Sequence, residues 1–127
     1  MLTQHEIEIR VRYKETDAQG HVHHGNYFTW FELGRTDMIR ASGKNYEELE
    51  TAGYFLVVAE ISCRYFQPSR FGDTLRLLTT TVASKGARVH HNYKVLRDDV
   101  LLAEGNSTIA CIDREGRVKR LPAWLNE

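Results

Sequence analysis

Tyr13-Lys14-Glu15-Thr16-Asp17-Ala18-Gln19-Gly20-His21-Val22-His23-His24-Gly25-Asn26-Tyr27 separates two stretches of different hydrophobic period, and its reading decides the fold. Before it, Ile7, Ile9, Val11 and Tyr13 alternate with Glu6, Glu8, Arg10, Arg12 and Lys14. A period of two predicts a strand with one buried and one charged face. After it, Tyr27, Trp30, Phe31, Gly34, Met38 and Ala41 recur at steps of three and four, which predicts a helix with one buried stripe. That helix should stop near Ser42-Gly43, where glycine can take the left-handed terminating conformation. Between the two elements, Thr16-Asp17 leaves the strand, Gly20 lets the chain reverse, and His24-Gly25-Asn26 opens the helix. An acid is thereby set close to the free backbone N–H groups of a helix start. A carboxylate in that position could attack a carbonyl whose oxygen those donors hold, or activate water against it. The arrangement points to acyl-transfer chemistry.

Working outward, Gly34 in mid-helix costs about 1 kcal/mol relative to alanine, a cost that a close approach of backbone or ligand would justify. Asn45 reads as the cap of a short second helix through Ala52, with Glu47 and Glu48 suiting its N-terminal dipole. Strands follow at Phe55 to Phe66, Thr74 to Ser84, Val89 to Val95 and Val100 to Ile112. Pro68 with Phe71-Gly72-Asp73, then Lys85-Gly86-Ala87-Arg88, then Asp98-Asp99 make the reversals, and Arg114-Glu115-Gly116 is a last turn. Consecutive hairpins imply an antiparallel sheet, and the aromatic-rich helix must lie across one face of it. The fold class is α+β: a five-stranded antiparallel sheet wrapped around one long helix, in a single domain spanning 1–127. One helix cannot cover every strand and the edges are long, so association through a sheet edge is expected, as a homodimer or homotetramer.

Composition excludes several functions. Seventeen basic residues balance seventeen acidic ones, so no global field recruits nucleic acid or an anionic membrane. No apolar run reaches the roughly 18 residues that suggest a transmembrane segment. Met1-Leu2-Thr3-Gln4-His5-Glu6 lacks the basic and apolar regions of a signal peptide. Cys63 and Cys111, each in a predicted strand and not in a C-x-x-C pair, read as two buried free thiols in a reduced cytoplasm.

The run Tyr13-x-x-Thr16-Asp17-x-x-Gly20-x-Val22-x-His24-x-x-Tyr27, continuing to Phe31-Glu32 and Arg35, resembles the 4-hydroxybenzoyl-CoA thioesterase family of hotdog-fold proteins. It is most similar to the acyl-CoA thioesterase branch associated with the bacterial Tol–Pal cluster. The resemblance extends through Phe71-Gly72-Asp73, Gly105 and Asp113-Arg114-Glu115-Gly116-Arg117, nearly the whole chain. It implies a hotdog fold and hydrolysis of an acyl-CoA, or acyl carrier protein, thioester to free acid and thiol. Asp17 would be the catalytic carboxylate, and N–H groups around His24 and Gly25 the oxyanion hole. It also implies a site at a dimer interface with the CoA nucleotide held by basic residues, matched here by Lys85 and Arg88, with Ser84 and Arg70 as further candidates. Aromatic, short-chain and long-chain acyl groups all remain open, and Trp30, Phe31, Tyr54 and Phe55 could line the acyl pocket.

Each candidate has a plainer role. Asp17 could be a turn aspartate that accepts local N–H groups; within the motif it reads as nucleophile or general base. His21, His23 and His24 could supply imidazole to a metal with Asp17 as an oxygen ligand, but no second cluster at metal-site spacing accompanies them, so neither metal nor organic cofactor is expected. Asn26 reads as a helix cap, and Tyr27 as a core residue that also borders the substrate. Glu32 is the reserve catalytic carboxylate, and could instead pair with Arg35 or Thr36 along the helix. The alternative to an enzyme is a hotdog module that binds acyl-CoA or acyl carrier protein without turning it over.

Overall fold

A computed structural model describes residues 1–126. The alternating apolar residues of β1 (Gln4–Arg10) pair antiparallel with β3 (Thr74–Lys85), setting Ile7 opposite Leu77 and Ile9 opposite Leu75. The chain leaves the sheet earlier than its alternation predicts. Tyr13, expected to point inward, is 76% exposed in a single 3-10 turn, Tyr13–Glu15. The cause is local: the Glu15 carboxylate accepts the Arg12 N–H at 2.7 Å, and the Val11 N–H turns to the Asp73 carbonyl at 2.9 Å. Those bonds replace the next rungs of the ladder.

Helix α1 (Asn26–Ala41) ends where glycine was expected to end it, with Gly43 at φ +83°. Its buried stripe is Tyr27, Trp30, Phe31, Gly34, Arg35, Met38 and Ile39, while Ala41, predicted inward, is exposed. Gly34 has the close approach that its cost called for. A Cβ there would overlap Thr79 Oγ1 and the Leu77 side chain, so α1 rests with its backbone against β3. Helix α2 (Tyr46–Thr51) is capped by Asn45, whose side chain accepts the Glu48 N–H at 2.8 Å.

The remaining strands are β2 (Phe55–Tyr65), β4 (Arg88–Arg97) and β5 (Val100–Ile112). All five form one antiparallel sheet in the order β1-β3-β4-β5-β2. Two steps, β3 to β4 and β4 to β5, are hairpins; from β2 to β3 the chain crosses past β5 and β4. On the inner face, Tyr27, Trp30 and Phe31 pack among Leu75, Leu77, Tyr93, Val95, Leu102 and Ala103. Burying each large apolar side chain contributes about 1.5–3 kcal/mol. Phe31 stacks on Tyr93 with ring centres 4.3 Å apart and also lies over Gly105, where a Cβ would overlap its ring. That leaves β2 as an open edge carrying exposed Val57 and Val58. Both cysteines are free; Cys111 is buried as expected, but Cys63, on the open edge strand, is only half-buried. No described helix is long and apolar enough to cross a membrane.

Candidate active site

The 3-10 turn and the loop after it are tied down by a buried acid that sequence reading left unassigned. Glu15 accepts three hydrogen bonds: the Arg12 N–H, the Arg12 guanidinium at 3.3 Å, and the Trp30 indole N–H at 3.0 Å. Burial by itself would raise the Glu15 carboxyl pKa, but the Arg12 N–H, the Trp30 N–H and the Arg12 charge together hold it below its ordinary value. The Glu15 carbonyl also accepts the His23 N–H at 2.8 Å and the Asn26 side-chain amide at 3.0 Å. The turn is therefore fastened to the first residue of α1. A helix-spaced tryptophan behind a glutamate was the only sequence cue, and it is a weak one.

Asp17 sits at the exposed tip of that loop. Its Oδ1 accepts the Gln19 N–H at 2.9 Å and the His21 N–H at 3.2 Å, and its own N–H donates to the His21 carbonyl at 2.7 Å. Among the described residues nothing donates to Oδ2. One oxygen of the carboxylate is thus held by the turn, and the other is left without a donor among the described residues.

Asp17 lines a cleft of about 300 Å³ with His21, Val22, His24, Tyr27, Tyr65 and Phe66. At the helix start the two expected donors differ. The His24 N–H has no acceptor among the described residues, whereas the Gly25 N–H donates to His23 Nδ1 at 3.1 Å. Tyr65, unassigned from sequence, donates to the His24 carbonyl at 2.9 Å and stands edge-on to Tyr27. Asn26 caps nothing: Gly25 occupies the cap position without a side-chain bond, and the Asn26 amide reaches back to the Glu15 and His23 carbonyls. Tyr27 is both core and lining; its hydroxyl shares a 2.7 Å bond with Ser69, and burial pushes its pKa up.

The other expected site residues disperse. Arg70 bridges by its backbone to His21, and its guanidinium lies 3.5 Å from His21 Nε2, at the cleft. Ser84 is buried at the other end of β3, bonded to the Leu125 carbonyl, and Lys85 faces Arg88 across the hairpin. Twelve residues of β3 separate that hairpin from the Asp17 end, roughly 35 Å of strand. Within one chain they do not meet Asp17. Trp30 and Phe31 are sealed in the core, and Tyr54 and Phe55 lie at the far end of β2, so none of the four lines this cleft. Glu32 is exposed beside a separate pocket with Arg35, Tyr46 and Glu50, and forms no ion pair with Arg35. The buried Arg35 instead donates to the Tyr93 hydroxyl at 3.1 Å, which shares a 2.6 Å bond with Ser107. His91 lies near this cluster, and burial, with the Arg35 and His90 charges, pushes its pKa down to about 4. Among the described residues, no group of three or more His, Cys, Asp or Glu side chains could hold a metal ion.

The profile of the thioesterase-like superfamily matches residues 11–127. The chain belongs to that superfamily. This thioesterase is 34% identical over 109 residues to YneP of Bacillus subtilis, which carries an acyl-CoA thioesterase name, covering 85% of this chain and 79% of that one. It is 28% identical over 106 residues to the acyl-CoA thioester hydrolase YbgC of Escherichia coli O157:H7, covering 83% and 79%. The crystal structure of the DHNA-CoA thioesterase from Staphylococcus aureus superimposes with a TM-score of 0.88 at 28% identity, covering 93% of this chain and 80% of that one. The five-stranded sheet around one long helix is the hotdog fold that the sequence motif implied.

Proposed function

We propose that this thioesterase hydrolyses acyl-CoA thioesters, with Asp17 as the reacting carboxylate and the His24 N–H as the principal oxyanion donor. The observation that carries this reading is the divided state of Asp17. Two backbone N–H groups aim the carboxylate through Oδ1, while among the described residues nothing donates to Oδ2 and nothing accepts the N–H of His24, which lines the same cleft as Asp17. A thioester carbonyl placed there would accept from the His24 N–H as negative charge develops on its oxygen. The Gly25 N–H would join once the carbonyl displaces the His23 ring. The helix start favours that charge further.

Two routes use the same oxygen. In one, Oδ2 attacks the carbonyl carbon, the C–S bond breaks, the CoA thiolate leaves and takes a proton from water, and a second water opens the mixed anhydride. In the other, Oδ2 takes the proton of a water that attacks directly. A single turnover in ¹⁸O-water separates them, because only the anhydride route can leave label in Asp17.

The full site is assigned to a pair of copies joined along their β2 edges. The support is that, of the two sheet edges, β2 carries exposed Val57, Val58 and Tyr65, with Phe66 exposed just beyond it. Antiparallel pairing of two β2 strands would set one copy's Tyr65 end beside the other's Phe55 end. The partner's Lys85–Arg88 hairpin lies towards that second end, so the remote cations would face the nucleotide phosphates from across the interface. Acyl carrier protein thioesters are a second substrate form for the same cleft, and the cytoplasm, where thiols stay reduced, is the compartment assigned.

Thiol release from aromatic, short, medium and long acyl-CoA, with Asp17→Asn beside wild type, tests the assignment. Turnover on at least one class should fall about a hundredfold or more in the variant at unchanged Tm. Near-normal turnover by Asp17→Asn sinks it. Thermal stabilisation by acyl-CoA with no thiol release from the wild type would instead establish a binding module.

A further inference from the structure

The Asn26 side chain does something its place in the helix does not require. A residue at the first position of α1 has no capping duty, and its amide could lie in solvent. Instead Nδ2 donates to the Glu15 carbonyl at 3.0 Å and to the His23 carbonyl at 3.3 Å. The His23 carbonyl also accepts the backbone N–H of Asn26 at 3.0 Å. Both of its acceptor positions are thus filled by one residue. The peptide bond is planar, so fixing the His23 carbonyl fixes the direction of the N–H on its other side, which belongs to His24. Hydrogen bonds in series polarise one another, so donation to the carbonyl strengthens that N–H as a donor. This N–H is the one without an acceptor among the described residues, on a residue lining the Asp17 cleft.

The anchor behind Asn26 is rigid. Glu15 is held by the Trp30 indole and the Arg12 N–H, and its carbonyl also takes the His23 N–H. The next peptide, His24–Gly25, is held at both ends by the Tyr65 hydroxyl and by His23 Nδ1. The two peptides that bracket His24 are therefore both locked, the first by Asn26.

We propose that Asn26 is a positioning residue that aims and polarises the His24 N–H at the thioester oxygen. This rests on the oxyanion reading above. The test combines kinetics with a spectroscopic probe that needs no turnover. Dethia ketone analogues of benzoyl-CoA and octanoyl-CoA, in which CH₂ replaces the thioester sulfur and the carbonyl is ¹³C-labelled, are bound to wild type, Asn26→Ala and Asn26→Ser. In wild type the bound carbonyl should resonate downfield of the free ketone, as a polarised carbonyl does. Asn26→Ala should lose most of that displacement and about tenfold or more of kcat at unchanged KM, and Asn26→Ser, which keeps one donor, should fall between them. Should the alanine variant fail to fold, the serine variant against wild type carries the comparison. A full carbonyl shift in the variants, or kcat equal to wild type, overturns the role of Asn26 and leaves the oxyanion reading standing. No shift in wild type for either bound ketone overturns both.

Discussion

Glu15 and Asp17 are two carboxylates two positions apart in one turn and the loop that follows it, and their surroundings differ in opposite ways. Glu15 is buried, with donors from Arg12 and Trp30 on both oxygens. Asp17 is exposed, with donors on one oxygen and none of the described groups on the other. A buried carboxylate with protein donors on both oxygens is closed off from a substrate and held ionised; it is a fastener. One that is half satisfied is aimed yet still reactive. On the proposed reading, unfilled acceptor capacity, more than residue type, separates chemistry from scaffold here.

Exchanging their fates is the largest test. Asp17→Asn should lose most of its kcat while keeping its Tm. Glu15→Ala should lose about 3 kcal/mol of stability in chemical denaturation, because the buried Trp30 and Arg12 donors are left without an acceptor. An active Asp17→Asn, or a Glu15→Ala as stable as wild type, would erase the contrast between the two acids.

Acid titration should sharpen the contrast next. The His91 pKa falls to about 4 in the folded chain from an ordinary 6.5, so the unfolded chain takes the proton first as pH falls. Stability present above pH 6.5 should therefore be lost progressively down to about pH 4, by about 3 kcal/mol in total. Glu15 has the sign usual for a depressed acid. Its contribution is present above its ordinary value of 4.5 and is lost as pH falls through the lower folded value. Denaturation of His91→Gln across this range should show the upper part of the loss removed and the lower part kept. An unchanged profile would refute the buried neutral histidine.

The smallest effect belongs to the distant hairpin. Lys85→Ala with Arg88→Ala should raise KM several-fold for an acyl-CoA and leave the matching N-acetylcysteamine thioester, which lacks the nucleotide, unchanged. Equal effects on both would remove the hairpin from CoA recognition.

Much of this was legible in the chain. Period two in β1, the stripe of α1, the Gly43 stop and the Asn45 cap depend on interactions within a few residues, and each is met in the structure apart from the end residues Tyr13 and Ala41. The turn at Asp17 was legible for the same reason, since its hydrogen bonds to Gln19 and His21 are local. Glu15 was not, because its worth lies in a Trp30 indole delivered by the helix, and neither was Tyr65, which reaches His24 from the far edge strand. The misreading of Tyr13 and of the Asn26 cap has a single origin. Both residues obey the Glu15 fastening in place of their own local pattern.

By itself the sequence determined the kinds and order of the main elements and the carboxylate at the turn, since these are written in short-range periodicity and spacing, while its motif carried the resemblance to the family. Only the tertiary structure decided that β2 lies at one open edge, that the Lys85–Arg88 hairpin stands away from Asp17 within one chain, and which acceptors and donors remain unfilled among the described residues. Those are properties of hydrogen-bond partners brought together from distant parts of the chain, and no local pattern records who the partner will be.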